Sequence, residues 1–193
     1  PRLISSAASD VYKRQGWYTA YTPYQAEISQ GRMEAILNFQ TMVTDLTGME
    51  LSNASLLDES TAAAEAMNLL YVQRTKEKKS INSLSFFVDE NVVPQTKSVL
   101  EPRSAPLGIK LIYGNANEFK ASNDFFGALI QYPGANGQIP QLEYIISNNL
   151  KFGVKTAVAA DILSLVMLKS PGELGADVVV GSTQRFGIPL GYG

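Results

Sequence analysis

Arg185, Ser182 and Gln184 follow a short β-branched run, Val178–Val180, and a single glycine, Gly181. An apolar strand, a glycine and a polar turn in that order deliver the three side chains to the carboxyl edge of a parallel sheet, where open α/β sheets take ligands. The Arg185 guanidinium stays protonated and offers no amine lone pair, so it can anchor a carboxylate but cannot attack a carbonyl. Asp161 closes a second apolar run, Val158-Ala-Ala, where its carboxylate can pair with a cation or cap a helix beginning at Ile162. Ser60 and Thr61 open an alanine-rich helix, and hydroxyl and backbone donors at a helix N-terminus attract anions. Asp58 and Glu59 stand at the same helix end. Each would cost a dianion several Å away on the order of a kcal/mol, and the pair reads more readily as a self-capped helix.

What is missing narrows the chemistry further. The 193 residues contain neither histidine nor cysteine. That removes Ser-His triads, histidine- or thiolate-based metal sites, disulfides and a cysteine nucleophile from this stretch. A net charge of −2 gives no electrostatic case for nucleic acid or an anionic membrane surface. No apolar run reaches the roughly 18 residues of a membrane-spanning helix. The composition, 45% hydrophobic and 18% charged, suffices for one sizeable core.

The elements that must hold these residues can be traced along the chain. Thr22-Pro-Tyr-Gln25 has the form of a capping box with proline at the first helical position. A helix is expected near Gln30–Thr47, with Met33, Ile36, Leu37, Val43 and Leu46 on one stripe and Gly48 ending it. A second is expected over Ser60–Lys76, with Met67, Leu70 and Tyr71 inward. The basic run Arg74–Lys79 then trails into solvent, complementing the helix dipole. From Leu84 the pattern alternates. Strands are expected at Leu84–Val88, Ile109–Tyr113, Ala128–Tyr132, Thr156–Ala160 and Val178–Val180. Helical segments fall at Val93–Leu100, Glu118–Ser122, Leu142–Phe152 and Ile162–Leu168, and Pro-Gly and Asn-Gly pairs mark the turns. Such alternation implies a parallel sheet with right-handed crossovers.

Four blocks carry a resemblance: Gly16–Gly48, which opens Gly16-Trp-Tyr-Thr-Ala-Tyr-Thr-Pro-Tyr24; Asn53–Met67, with Leu56-Leu-Asp-Glu-Ser-Thr-Ala-Ala-Ala64; Ala159-Ala-Asp161; and Gly181-Ser-Thr-Gln-Arg-Phe-Gly187. Together they resemble the N-terminal half of glycine dehydrogenase (decarboxylating), the P-protein family of the glycine cleavage system. The match runs from about Gly16 to the last residue. The resemblance implies part of the large domain of the type I pyridoxal-phosphate-dependent transferase fold, a mostly parallel sheet flanked by helices. Pro1–Gln15 matches nothing in the family and is expected to be a foreign or disordered arm, leaving 16–193 as an incomplete domain.

Sites of that fold need a lysine for the Schiff base, an acid on the pyridine nitrogen and a phosphate cradle. The resemblance lays Asp161 on the acid, Ser60 and Thr61 on the cradle, and Gln184-Arg185 where the C-terminal half carries His-Lys. This half therefore reads as a degenerate copy, with pyridoxal phosphate bound by the other half and no catalytic residue here. Tyr18, Tyr21 and Tyr24 either line the partner half's site or simply pack at an interface. The implied partners are a C-terminal catalytic half or catalytic subunit, glycine as substrate and the lipoylated H-protein. The implied compartment is the cytoplasm of a bacterium or the mitochondrion of a eukaryote, the cytoplasm preferred. Two other readings remain open: a separate non-catalytic subunit of a two-subunit P-protein, and a non-enzymatic scaffold reusing the fold.

Overall fold

A computed structural model describes residues 30–187, apart from 54 and 83. The expected arm Pro1–Gln15, the capping box at Thr22 and the three tyrosines lie outside the described residues. The chain forms two compact units, Pro1–Asp45 with Leu51–Ser55, and Leu46–Glu50 with Leu56–Gly193.

Helix α1 spans Gln30–Thr47, as its periodicity predicts, and its body belongs to the first unit. The expected apolar stripe is only partly covered: Met33 and Leu37 are exposed, while Ile36, Val43 and Leu46 are half-buried. An amphipathic stripe is buried only where a second layer lies over it. The last turn belongs to the second unit, where two glycines make it possible. Gly48 takes φ +70°, and the backbone N–H of Gly172 donates to Thr47 O at 2.8 Å. A Cβ on Gly172 would sit 2.2 Å from Gly48 O. The chain after α1 thus lies directly on the Ser170–Glu173 loop.

The second unit is built on five strands: β1 Ser85–Asp89, β2 Lys110–Gly114, β3 Phe125–Tyr132, β4 Lys155–Ala160 and β5 Val178–Val180. All pairs are parallel, in the order β2-β1-β3-β4-β5. The chain first winds outward from β1 to β2, then returns to place β3 on β1's other side. The β1/β3 boundary is therefore the topological switch point, where open sheets of this kind take ligands.

Helices cover both faces, so the middles of the central strands are apolar and their polar residues fall near the ends. On one face α2 (Glu59–Val72) and α4 (Pro94–Ser104) bury Met67, Leu70 and Leu100 against Phe86, Val88, Phe126 and Leu129. Ala63, Ala64 and Ala66 let α2 lie close to the strands. On the other face α5 (Leu142–Lys151) packs Leu142, Ile145 and Ile146 over Phe87, Ala128, Ile130 and Val158. The two clusters alternate along each strand, as the period of two requires.

Three sequence expectations fail, two for local reasons and one through a contact far along the chain. The helix expected over Ser60–Lys76 stops at Val72; Thr75 then caps a separate short helix, α3 (Lys76–Ser80), its hydroxyl accepting from Lys78 N. The basic run does not simply trail into solvent, because Lys78 is buried. Its ammonium donates to the carbonyls of Ser122, Asn123 and Phe125 at 3.4, 3.1 and 2.9 Å. Finally, the helix expected over Ile162–Leu168 is only a 3-10 turn, Ser164–Val166. Asp161 organises it: its Oδ1 accepts from Leu163 N at 3.0 Å and its backbone carbonyl accepts from Ser164 Oγ at 2.6 Å. Such local side-chain bonds compete with helix propagation.

Candidate functional site

Four segments converge at the carboxyl edge of the sheet: the ends of β1, β3 and β4, and the loop after β5. Gly181 lets the last of these in. A Cβ there would lie 2.4 Å from Ala160 O, so only glycine allows the loop to run against the end of β4. Ser182 Oγ then accepts from Gln184 N at 3.2 Å and caps the turn Thr183–Phe186. The turn carries Arg185 to Asp161, 3.4 Å away.

At the switch point Asp89 ends β1 and Gln131 lies in β3. Asp89 is almost wholly buried; its Oδ1 accepts from Asn91 N at 3.0 Å and its Oδ2 from Gln131 N at 3.4 Å. Burial raises its pKa above the ordinary aspartate value, although the backbone N–H groups of Asn91 and Gln131 pull the other way. The Gln131 side chain in turn donates from Nε2 to Glu59 Oε1 at 3.4 Å, joining β3 to the first residue of α2. Glu59 is raised as well, by burial first and by the negative charge of Asp161 in addition.

The N-terminus of α2 is closed by its own residues. Asp58 Oδ1 accepts from Thr61 N at 2.6 Å, and Asp58 O accepts from Ala62 N at 2.9 Å. The Thr61 backbone bond is the main reason that the Asp58 carboxyl lies below its usual range. Ser60 is buried with its hydroxyl 3.1 Å from Thr96 Oγ1 on α4, turned into the interior.

The structure brings Asp161 and Arg185 together, with the charge of Asp161 felt by Glu59, while Ser60 and Thr61 are engaged elsewhere. Lys155 sits at the start of β4, away from this edge, and pairs with Asp177 at 2.6 Å. Sequence reasoning missed Asp89 and Gln131. Their signal was available, since Asp89 closes an apolar strand and Gln131 is the penultimate residue of another, at the edge where ligands bind. Among the described residues no group of three or more acidic, histidine or cysteine side chains is arranged to hold a metal ion, and no helix is long and apolar enough to cross a membrane.

A five-stranded parallel sheet with helices on both faces is an open α/β architecture, and the solved structures it superposes on make it part of the large domain of the fold-type I pyridoxal-phosphate-dependent enzymes. A cystathione gamma lyase from Micromonospora echinospora superposes with a TM-score of 0.60 over 81% of this chain and 40% of its own, at 18% identity, a likeness of fold alone. The particular lineage follows from closer matches: the chain belongs to the glycine cleavage system P-protein family, which matches residues 3–193 and so begins well before Gly16, where the resemblance was expected to start. It is 59% identical over 184 residues to glycine dehydrogenase (decarboxylating) of Flavobacterium johnsoniae and 60% identical over the same length to that of Christiangramia forsetii. These alignments cover 95% of this chain and 19% of each relative, so the chain spans about a fifth of their length. A crystal structure of glycine decarboxylase (P-protein) in inhibitor-bound form superposes with a TM-score of 0.80 at 31% identity, covering 98% of this chain and 43% of that one.

Proposed function

We propose that this chain is part of glycine dehydrogenase (decarboxylating) and belongs to a pseudo-catalytic N-terminal half that supports the active site of a partner half. In this reading the whole protein takes glycine, releases CO2 and passes the remaining aminomethyl group to the lipoyl arm of the H-protein. Pyridoxal phosphate supplies the electron sink for that decarboxylation. The work is assigned to a C-terminal half or catalytic subunit, and the preferred compartment is the bacterial cytoplasm, consistent with the bacterial relatives.

The observation that carries the reading is the Arg185–Asp161 pair. By the resemblance, Asp161 holds the position of the ring-pairing acid and Arg185 that of the lysine. Here the two satisfy each other. The phosphate end fares no better, because Asp58 caps Thr61 N and the Ser60 hydroxyl faces Thr96. The described residues do not fit the cofactor, and no step is assigned to them.

One observation favours a second arrangement, a separate non-catalytic subunit paired with a catalytic one. This chain fills 43% of the crystallised P-protein chain but 19% of the curated relatives, so P-proteins exist as much shorter chains. A scaffold reusing the fold has no comparable support.

Borohydride reduction of the full-length or two-subunit protein loaded with pyridoxal phosphate tests the assignment. The expected label lies on a lysine outside these 193 residues. Stoichiometric label on any lysine within them refutes it.

A further inference from the structure

Gln131 is 5% exposed, yet its buried Oε1 has no hydrogen-bond partner among the described residues, while its Nε2 donates to Glu59 Oε1 at 3.4 Å. Buried amide oxygens left without a donor are rare and costly in native proteins. Turning the amide over does not remedy this one. Its oxygen would then face Glu59 Oε1, a contact that only a protonated carboxyl can make. Either orientation is completed by a proton on Glu59. A carboxyl and a primary amide are both planar, with closely matched spacing between their two heteroatoms. A neutral acid can therefore donate its O–H to the amide oxygen while accepting an N–H from the amide nitrogen.

The neighbouring carboxyls are provided for differently. Asp89 accepts from Asn91 N, Asn91 Nδ2 and Gln131 N at 3.0, 3.4 and 3.4 Å, bonds that favour its charged form. Asp58, just before Glu59 in the chain, accepts from Thr61 N at 2.6 Å. Asp161 has the Arg185 guanidinium and Leu163 N. Among the described residues the Glu59 carboxyl has the Gln131 amide as its one hydrogen-bond partner. We propose that Glu59 and Gln131 hold one proton between them, the neutral Glu59 carboxyl donating to Gln131 Oε1 and accepting from Gln131 Nε2, as a latch between the first turn of α2 and the end of β3. Burial, with the negative charge of Asp161 in addition, holds Glu59 above its ordinary value of 4.5. The latch is therefore closed below that raised value and opens above it. On opening, Glu59 carries a charge that Asp161 repels, Gln131 Oε1 loses its donor, and the hold of β3 on α2 weakens. Neither a cofactor nor any step of the proposed reaction enters.

Carbon-detected NMR on the 193-residue chain, with ¹³C in the glutamate and glutamine side chains, tests this. The Glu59 Cδ resonance should titrate with a midpoint above 4.5, and Gln131 Cδ should move with the same midpoint, because that amide gains a donor only with the proton. In Glu59→Gln the new amide can donate at every pH, so Gln131 Cδ should stay near its low-pH position. In Glu59→Met it should stay near its high-pH position. A Glu59 midpoint at or below 4.5, or a Gln131 Cδ that does not follow it, overturns the proposal. So does a Gln131 response that persists in Glu59→Met, which would assign the proton to Asp89. Should a variant fail to fold, the titration of the unaltered chain decides by itself. The label position in the borohydride experiment is unaffected by any of these outcomes, so the two readings can fail separately.

Discussion

The Arg185 guanidinium lies 3.4 Å from the Asp161 carboxylate, joining the loop after β5 to the exit of β4. With its side chain more than half exposed, the pair adds little to stability. Its consequence is positional, because each residue fills the other's functional direction.

Replacing Arg185 with lysine should therefore not create a cofactor-binding lysine. A lysine ammonium there still faces Asp161, Asp58 still caps α2, and Ser60 still points at Thr96. Borohydride reduction of the Arg185→Lys chain with pyridoxal phosphate should leave residue 185 unlabelled in a peptide map. A stoichiometric adduct at that position would show that the degeneration rests on one residue.

Glu59→Gln should stabilise the chain at pH 8 and not at pH 4. Burial holds the folded-state pKa of Glu59 above its ordinary value of 4.5. The folded protein then binds this proton more tightly than the unfolded chain. Its contribution to stability is full below 4.5 and declines as pH rises through the window up to the raised pKa. A neutral glutamine does not suffer that decline. Urea denaturation of both proteins at the two pH values measures the difference; an identical difference at both would contradict the cause assigned.

Lys78→Met should cost about 2–4 kcal/mol, because it removes the donor shared by three carbonyls and leaves them facing an apolar side chain. Lys79→Met, at an exposed neighbour, should cost less than about 0.5 kcal/mol. Equal losses from chemical denaturation would mean that the three bonds contribute nothing.

Gly172→Ala should lower stability by about 2–3 kcal/mol through overpacking. The new methyl would overlap Gly48 O and Thr47 O, and both neighbours are backbone that cannot swing aside. A melting temperature within about 2 °C of the parent would show that the loop relaxes freely.

The alternation of apolar runs with helical segments was enough to locate all five strands to within a few residues, and Val178–Val180 at both ends. It also placed Asp161 and Arg185 at strand exits, because strand and turn signals are local and a strand exit in a parallel sheet is a site by geometry. Local pattern could not bring Asp89 to Gln131, 42 residues later, since which strands become neighbours depends on the crossover returning β3 to the other side of β1. Nor could it bury Lys78, whose three acceptors begin 44 residues further on. The helix expected after Asp161 failed for the opposite reason: apolar spacing favoured it, but two short-range bonds from one aspartate closed a turn instead. Residue types and periodicity decided what each segment becomes, whereas the strand order decided which polar groups meet, because that order sets contacts between residues far apart in the chain.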